Sequence, residues 1–214
     1  MKKLNKIEVV IIGGGGHSKS IISTLSGIEG LKILGYTDKK DLGIILGVPY
    51  LGYENEIEEF PTNELIMGIS YLKTPLDRKL RTSIIEQMEE RGFKFPKIIS
   101  KKSLVDKSSS IGNGSVILNN VFINCLSNIG VHALINNGVI IEHSCLIGNH
   151  FIASPGVIVC GDTVIGDNVF IGAGATIGDG LNICSNVIIG AGSLVLKNIE
   201  SPGLYLGSPC KKVN

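Results

Sequence analysis

The chain has 214 residues, a net charge of +1 and 18% charged residues. A charge this close to zero excludes a general electrostatic attraction to nucleic acid or to an anionic membrane, so we expect partners of neither kind. The five cysteines are an odd number without Cys-x-x-Cys pairs, which favours reduced core residues over a disulfide framework and indicates the cytoplasm.

The first segment is predicted to form a strand, a glycine-rich turn and a helix. Residues 7–12 are mostly branched and apolar, residues 13–16 are four glycines, and residues 20–28 have a helical pattern. Consecutive glycines let a ligand approach the backbone, and amides at a helix start favour an anion such as phosphate. A tight turn from strand to helix also requires glycine, so nucleotide binding and a plain connection both stay open. The apolar run is too short for a signal sequence or a membrane span.

The following segments complete a predicted α/β domain over residues 1–98. Residues 31–36 form a second strand, after which Asp38 is placed either to contact a ribose or base or to cap the strand end. Residues 65–69 form a third strand, and a helix follows from residue 74 to about 91. Strands that alternate with helices in this way predict a mostly parallel sheet.

The second predicted helix has clear start and stop signals. Thr74 is the expected N-cap, Pro75 lies in the first turn, and Asp77 faces the positive end of the helix dipole. Gly92 is expected to end the helix.

An unbroken six-residue repeat occupies the rest of the chain, which we predict to be a second domain over residues 99–214. Fifteen of sixteen consecutive every-sixth positions are Ile or Val, and the exception is Ala153. The positions are Val105, Ile111, Ile117, Ile123, Ile129, Ile135, Ile141, Ile147, Ala153, Val159, Ile165, Ile171, Ile177, Ile183, Ile189 and Val195.

A period of six belongs neither to a helix nor to a single strand and indicates a repeat architecture. Small or polar residues often follow these positions, as a chain that turns after a short strand requires. Three such sides would close an 18-residue coil, and coils would stack by parallel strand pairing about 4.8 Å apart. An ordinary sandwich rich in branched residues would not keep one frame for so long. The spacing resembles the hexapeptide signature of the left-handed parallel β-helix, and the left-handed winding follows from that resemblance alone.

Polar residues near the predicted corners are the candidates for chemistry, because inward apolar positions are structural. Residues 18 apart should lie one above the other in the stack. His132 and His150 are such a pair, which is compatible with a ladder, a metal site or coincidence. His143 should likewise lie against Gly161.

Both halves of the chain resemble the bacterial hexapeptide acyltransferases that acetylate nucleotide-linked amino sugars, a family that also includes sialic-acid O-acetyltransferases. The resemblance rests on the motifs IIGGGGHSKSI, GYTD, GVPYLG, FKFPKII, INNGVIIEHSCLIG, SPGVIVCGDTVIGD, IGAGATI, GAGSLVLKN and GSPCKKV. It implies a Rossmann-like N-terminal domain that binds the nucleotide sugar. It also implies a homotrimer of β-helices with acetyl-CoA bound between neighbouring coils.

The resemblance assigns the catalytic roles to a few positions. His143 matches the base that takes a proton from the sugar amine, a task that suits an imidazole near neutral pH. Gly161 matches the glycine whose amide stabilises the oxyanion and faces the acetyl-CoA thioester, and Asn136 matches a polar residue near the sugar. The family has Asp or Glu directly after the base, whereas this chain has Ser144. Glu142 or a group of a neighbouring subunit would then assist, or the base is less activated.

The acetyl-CoA contacts are also carried over by position. Where the family has a second histidine this chain has Ile152, whose backbone amide could still contact CoA. The backbones at Ala173 and Ala191 match pantetheine contacts. Lysines near the end of the chain could reach the CoA phosphates, or could simply be solvated; these are Lys197, Lys211 and Lys212.

The nucleotide-sugar contacts are expected in the first domain. The residues that match the phosphate-facing turn and the ribose or base contact are Gly15, Gly16, His17, Lys19 and Asp38. Ser70 stands where relatives often have glycine after the third strand, which should alter the sugar pocket.

The resulting hypothesis is an acetyl-CoA-dependent N-acetyltransferase of a nucleotide-linked amino sugar, with direct transfer, no acyl-enzyme and no metal. Cys145 is expected to fill a corner. O-acetylation is the leading alternative, because the same base can activate a hydroxyl. A zinc-dependent β-helix hydratase would use His132, His143 and His150, although the seven-residue step from His143 to His150 differs from the five of that branch. A noncatalytic sugar-nucleotide-binding scaffold is the last alternative.

Overall fold

The computed structural model describes residues 7–55, 59–70 and 75–213, without the side chains of residues 75–78. The chain divides into two compact units, Met1–Pro96 and Lys97–Asn214. The N-cap expected at Thr74 and the side-chain roles expected of Pro75 and Asp77 lie outside the described residues. In the part of the chain that is described, no helix is both long and apolar enough to cross a membrane.

The first unit contains a parallel sheet of four strands in the order β3-β2-β1-β4. The strands are β1 (Ile7–Ile12), β2 (Leu31–Thr37), β3 (Tyr50–Gly52) and β4 (Leu65–Met67). Central β1 is buried from Val9 onwards, as its unbroken apolar run requires in a parallel sheet covered on its faces. The first two predicted strands are confirmed as β1 and β2. Strand β3 was not predicted, so the third predicted strand corresponds to β4.

Two helices complete the first unit, α1 (Gly16–Leu25) and α2 (Pro75–Glu90). Helix α1 was predicted over residues 20–28 and instead begins at the last glycine of the turn, because extended Gly15 already serves as its N-cap. It ends at Leu25 because the hydrogen bonds that follow Ser26 have the shorter three-residue spacing: Gly27 N donates to Thr24 O, and Ile28 N donates to Leu25 O. Gly92, with φ +90°, follows α2 as expected.

The second unit is a solenoid of very short parallel strands. One strand ends at each of the sixteen predicted repeat positions, and a further strand, β5, precedes them. The strands are β5 (Ile98–Ile99), β6 (Leu104–Val105), β7 (Ser110–Ile111), β8 (Val116–Ile117), β9 (Phe122–Ile123), β10 (Asn128–Ile129), β11 (Leu134–Ile135), β12 (Ile140–Ile141), β13 (Leu146–Ile147), β14 (Ile152–Ala153), β15 (Ile158–Val159), β16 (Val164–Ile165), β17 (Phe170–Ile171), β18 (Thr176–Ile177), β19 (Asn182–Ile183), β20 (Val187–Ile189) and β21 (Leu194–Val195). The predicted parallel β-helix is therefore confirmed.

Three sheets form the sides of the solenoid. The five-stranded sheet contains β7, β10, β13, β16 and β19, and the six-stranded sheet contains β6, β9, β12, β15, β18 and β21. The eight-stranded sheet contains β5, β8, β11, β14, β17 and β20, together with the two strands of the hairpin described below. Paired residues are 18 apart, as in Ile129 with Ile147 and Ile141 with Val159. Three consecutive strands and their corners thus make one coil. We call a set of residues spaced by 18 a column.

The inward side chains of the coils form one continuous apolar core. Fourteen of the sixteen repeat positions lie below 6% exposure, and burial of their branched side chains supplies the main stabilisation of the stack. Ala153 is the small exception in the repeat, and it shares the core with fully buried Phe151.

A hairpin follows the last coils. Strand β22 (Gly203–Leu206) pairs in parallel with β20, and β23 (Lys211–Val213) pairs antiparallel with β22. These two strands therefore form one edge of the eight-stranded sheet.

Candidate active site

His143 lies at the corner between β12 and β13, where its imidazole ring covers Gly161 of the next coil. A Cβ atom added to Gly161 would lie 2.6 Å from both Cε1 and Nε2 of the ring. No ordinary contact is that short, so the ring occupies the space that a side chain at residue 161 would need. The His143 side chain is half exposed. The stacking predicted from the 18-residue spacing is confirmed, and the ring can be reached from solvent.

The glycine also leaves one backbone amide of this corner, that of His143, without a side-chain acceptor. Another corner of the solenoid shows what a side chain does at this turn position. There Val131 N donates to Asn149 Oδ1 at 3.0 Å, and Asn149 N donates to Asp167 Oδ1 at 2.6 Å, so each amide is capped by the side chain one coil later. Gly161 has no side chain to do this for His143 N. Within the described ranges neither His143 N nor Gly161 N has a hydrogen-bond acceptor. Free amides beside a basic ring can receive an oxyanion.

Two carboxylates belong to this corner. Glu142 Oε2 accepts a 2.7 Å hydrogen bond from Asn124 Nδ2 of the preceding coil. Asp162 Oδ2 lies 4.0 Å from His143 Nδ1. Sequence reasoning missed Asp162, although the 18-residue spacing could have found it, because Asp162 is in the same column as Ser144.

Cys145 is fully buried in the solenoid core. Its Sγ lies 3.3 Å from Cys160 O, and burial raises the pKa of the Cys145 thiol. A protonated thiol without access to solvent is a poor nucleophile, so the cysteine is suited to packing at the corner.

In the glycine-rich turn of the first unit, Gly14 is closely packed, whereas Gly15 and Gly16 are open. Gly14 N donates to Asp38 Oδ2 at 2.8 Å, and a Cβ at Gly14 would lie 2.5 Å from the Tyr36 ring. A Cβ at Gly15 or Gly16 would meet nothing within 4 Å. The fold therefore explains the glycine at residue 14 but not those at residues 15 and 16, whose exposed amides begin α1.

His17 cannot supply positive charge to this turn near neutral pH. Burial, together with the nearby Arg81 charge, lowers the pKa of His17 to about 4. Its Nε2 is buried and has no hydrogen-bond partner among the residues described. Lys19, a cationic residue, is exposed on the first turn of α1. Ser70 is partly exposed beyond β4.

A cavity of about 470 Å³ lies at the far end of the His143 corner. Its lining includes Lys197 and Lys211, two of the expected CoA contacts. Lys197 is in the column of His143, three coils along, which corresponds to about 14 Å at the usual strand spacing. Lys212 Nζ instead donates to Ser201 Oγ at 3.0 Å.

The histidines do not assemble into a metal site. The rings of His132 and His150 stack with centroids 5.2 Å apart and planes 6° from parallel, at a different corner from His143. Over residues 7–55, 59–70 and 75–213, no three side chains of His, Cys, Asp or Glu come together in a geometry that could hold a metal ion.

Comparison with known proteins identifies the family. Residues 8–88 match the PglD N-terminal domain, and residues 144–179 and 162–197 match the bacterial transferase hexapeptide (six repeats). PerB from Caulobacter crescentus, solved with CoA and GDP-perosamine, is 30% identical over 97% of both chains, with a TM-score of 0.87. This chain belongs to the hexapeptide-repeat acyltransferases with a PglD-type N-terminal domain.

Two other structures resemble this acyltransferase along its whole length. The acetyltransferase domain of PglB from Neisseria gonorrhoeae FA1090 is 25% identical, covers 96% of this chain and 99% of its own, and has a TM-score of 0.88. That domain has also been solved with acetyl coenzyme A. WeeI from Acinetobacter baumannii AYE shares the fold at 21% identity, 97% and 100% coverage and a TM-score of 0.83. No curated protein sequence matches the acyltransferase.

The predicted site residues of the acyltransferase lie at two corners of the solenoid. His143 and Gly161 lie between the six-stranded and five-stranded sheets, whereas Asn136, Ala173 and Ala191 lie between the eight-stranded and six-stranded sheets. Asn136 is buried, and its Nδ2 donates to Ala153 O at 2.7 Å. Ala173 and Ala191 are exposed.

Ile152 does not fit the CoA contact expected of it. Its side chain is 3% exposed, and its amide donates to Val169 O at 2.9 Å within the sheet. The backbone amide of Ile152, which was expected to contact CoA, is therefore already used in the hydrogen bonding between coils.

Proposed function

We propose that this acyltransferase transfers the acetyl group of acetyl-CoA to the amine of a nucleotide-linked amino sugar, with His143 as general base. The observation that carries the proposal is the His143 ring lying against the uncapped amide of Gly161. The similarity to PerB, an enzyme solved with CoA and GDP-perosamine, supports the substrate class.

The proposed reaction is a direct transfer. The sugar reacts as its neutral amine, after the ammonium has lost a proton to solvent. As the amine nitrogen adds to the thioester carbonyl, His143 Nε2 takes one proton from that nitrogen. The amide of Gly161 stabilises the oxyanion of the tetrahedral intermediate. The C–S bond breaks as the intermediate collapses, and the imidazolium returns its proton to the departing CoA thiolate. No acyl-enzyme forms, which agrees with the burial of Cys145.

The proposal includes a homotrimer. The six-stranded sheet separates the His143 corner from the Asn136 corner within one chain, so these residues can share a substrate only across two protomers. Leu104 and Phe122, on the outward side of that sheet, are 70% and 37% exposed and would be covered in such an assembly. A solution mass of three times the 22.7 kDa chain would support the trimer, and a monomer would contradict it.

CoA is proposed to run along the His143 corner from the thioester to the cavity near Lys197. Extended pantetheine is long enough to span the separation of about 14 Å between three stacked coils. Lys197 and Lys211 would then neutralise CoA phosphates, and the exposed backbones at Ala173 and Ala191 of a neighbouring protomer would contact pantetheine. We place the reaction in the cytoplasm, in a pathway of surface glycan synthesis.

Thiol release from acetyl-CoA tests the proposed function directly. GDP-, UDP- and dTDP-linked 4-amino-4,6-dideoxyhexoses should be compared with the matching sugars that carry a hydroxyl at the same carbon. We expect release with at least one amino sugar and none with its hydroxyl counterpart. Release with the hydroxyl sugar alone would indicate O-acetylation, and no release with any of them would reject the proposal.

Alanine at residue 15 or 16 should weaken nucleotide binding without weakening the fold. Neither new Cβ would meet another atom within 4 Å, but each would occupy the open side of the turn where a phosphate would approach. We expect the KM for the nucleotide sugar to rise about tenfold, equivalent to about 1.4 kcal/mol of binding, with an unchanged thermal midpoint.

Gly14→Ala is the matched control for these variants. Its Cβ would collide with the Tyr36 ring, so this variant should lose about 1 to 3 kcal/mol of stability. Steady-state kinetics and thermal unfolding of the three variants separate the two effects. An unchanged KM in both Gly15→Ala and Gly16→Ala would count against phosphate binding at this turn.

A further inference from the structure

We propose that Asp162 is a positioning residue for His143 and takes the place of the carboxylate that is missing at Ser144. The inference rests on the proposed function, in which His143 is the base. The Asp162 carboxylate would favour the tautomer with hydrogen on Nδ1, which leaves Nε2 free to accept the substrate proton. It would also stabilise the imidazolium that forms during the reaction.

The backbone fixes Asp162 with respect to the ring. Asp162 N donates a 3.0 Å hydrogen bond to His143 O, so a backbone hydrogen bond between neighbouring coils links the two residues. Ser144 and Asp162 occupy the same turn position in successive coils, with left-handed φ values of 59° and 55°. The Asp162 side chain therefore leaves the corner one coil above Ser144, and its Oδ2 lies 4.0 Å from His143 Nδ1. This separation is within ion-pair range and longer than a hydrogen bond, so the carboxylate acts on the ring through its charge.

The other charged groups of this corner are less suited to the role. Glu142 is engaged by Asn124 Nδ2, and the Ser144 hydroxyl carries no charge. Asp179 and Lys197 are in the His143 column but lie two and three coils away from the ring. The thiols of Cys145 and Cys160 stay protonated, because burial raises the pKa of each. Asp162 is the acidic group within ion-pair distance of Nδ1 in the described part of the chain.

The contact is solvent-exposed, so its effect should be modest. Side-chain exposure is 50% for His143 and 68% for Asp162, and water weakens an exposed pair of charges. We expect Asp162→Asn to lower kcat about tenfold with little change in either KM.

Two further variants make the test specific. Asp179→Asn removes the same charge from the same corner one coil beyond Gly161, and should leave kcat unchanged. Ser144→Asp, introduced into Asp162→Asn, places a carboxylate directly after the histidine and should restore kcat to within about threefold of the parent. Circular dichroism and thermal unfolding should show that all variants remain folded.

The outcomes distinguish the inference from the function on which it rests. A normal kcat in Asp162→Asn would overturn the positioning role, as would a lowered kcat that Ser144→Asp does not restore. If His143→Asn is inactive while Asp162→Asn is fully active, only the positioning role is rejected. If His143→Asn is fully active, the base itself and the proposed function are rejected.

Discussion

Replacing His143 with Asn is expected to lower kcat by about 10³-fold, within the range that general-base catalysis contributes. Asparagine is close in size to the imidazole, so the packing over Gly161 is largely retained, but its amide cannot take a proton at neutral pH. The KM values for acetyl-CoA and for the nucleotide sugar should change little. Thermal stability should also persist, since the ring is half exposed. Thiol release under saturating substrates measures the loss.

His150→Asn is the control for this change. It removes an imidazole from a different corner, where the ring stacks on His132 and has no part in the proposed chemistry. Its kcat should stay within about twofold of the parent. A His143→Asn enzyme that keeps more than about a tenth of the parent kcat would remove His143 from the role of base.

Replacing Gly161 with Ala should lower kcat by about 100-fold and leave the fold intact. The new Cβ would lie 2.6 Å from Cε1 and Nε2 of His143, so the ring must move away from the uncapped amide. Displacement of a catalytic group by about 1 Å is enough to cost about 10²-fold in rate. Since the atoms in the way belong to a half-exposed side chain, the ring can swing toward solvent at little cost in stability.

Gly148→Ala provides the opposite result. A Cβ at Gly148 would lie 2.7 Å from the backbone carbon of Gly166, which cannot move without disturbing the coil. This variant should lose about 1 to 3 kcal/mol of stability, whereas Gly161→Ala should lose much less. Kinetics and thermal unfolding of both variants test the difference. Equal destabilisation by the two substitutions would show that Gly161 serves the fold rather than the site.

The solenoid could be predicted from the sequence because each inward residue recurs at a fixed interval. Every repeat position from Val105 to Val195 ends a strand, and paired strands are offset by the length of one coil. This regularity also placed His143 against Gly161. The reason is physical: parallel pairing in register fixes which residues stack, without knowledge of any loop.

Features that depend on other contacts could not be predicted in the same way. Strand β3 has three residues, and its Leu51 packs where a side chain at Gly35 would be. Strand β5 precedes the first position of the repeat frame. Asp162 was overlooked because only the sequence neighbours of His143 were considered as partners, whereas Asp162 lies in the next coil. The neutral state of His17 follows from burial in the folded unit.

The hairpin of β22 and β23 affects how readily strands of other molecules can add to the end of the solenoid. Each coil offers the next one a row of parallel backbone groups, so an uncovered last rung would invite strands of other molecules to add. Strand β23 runs in the opposite direction, has three exposed residues and begins with Lys211 and Lys212. A short, cationic strand of reversed direction is a poor template for another parallel strand, and so it disfavours strand addition at the edge of this one of the three sheets.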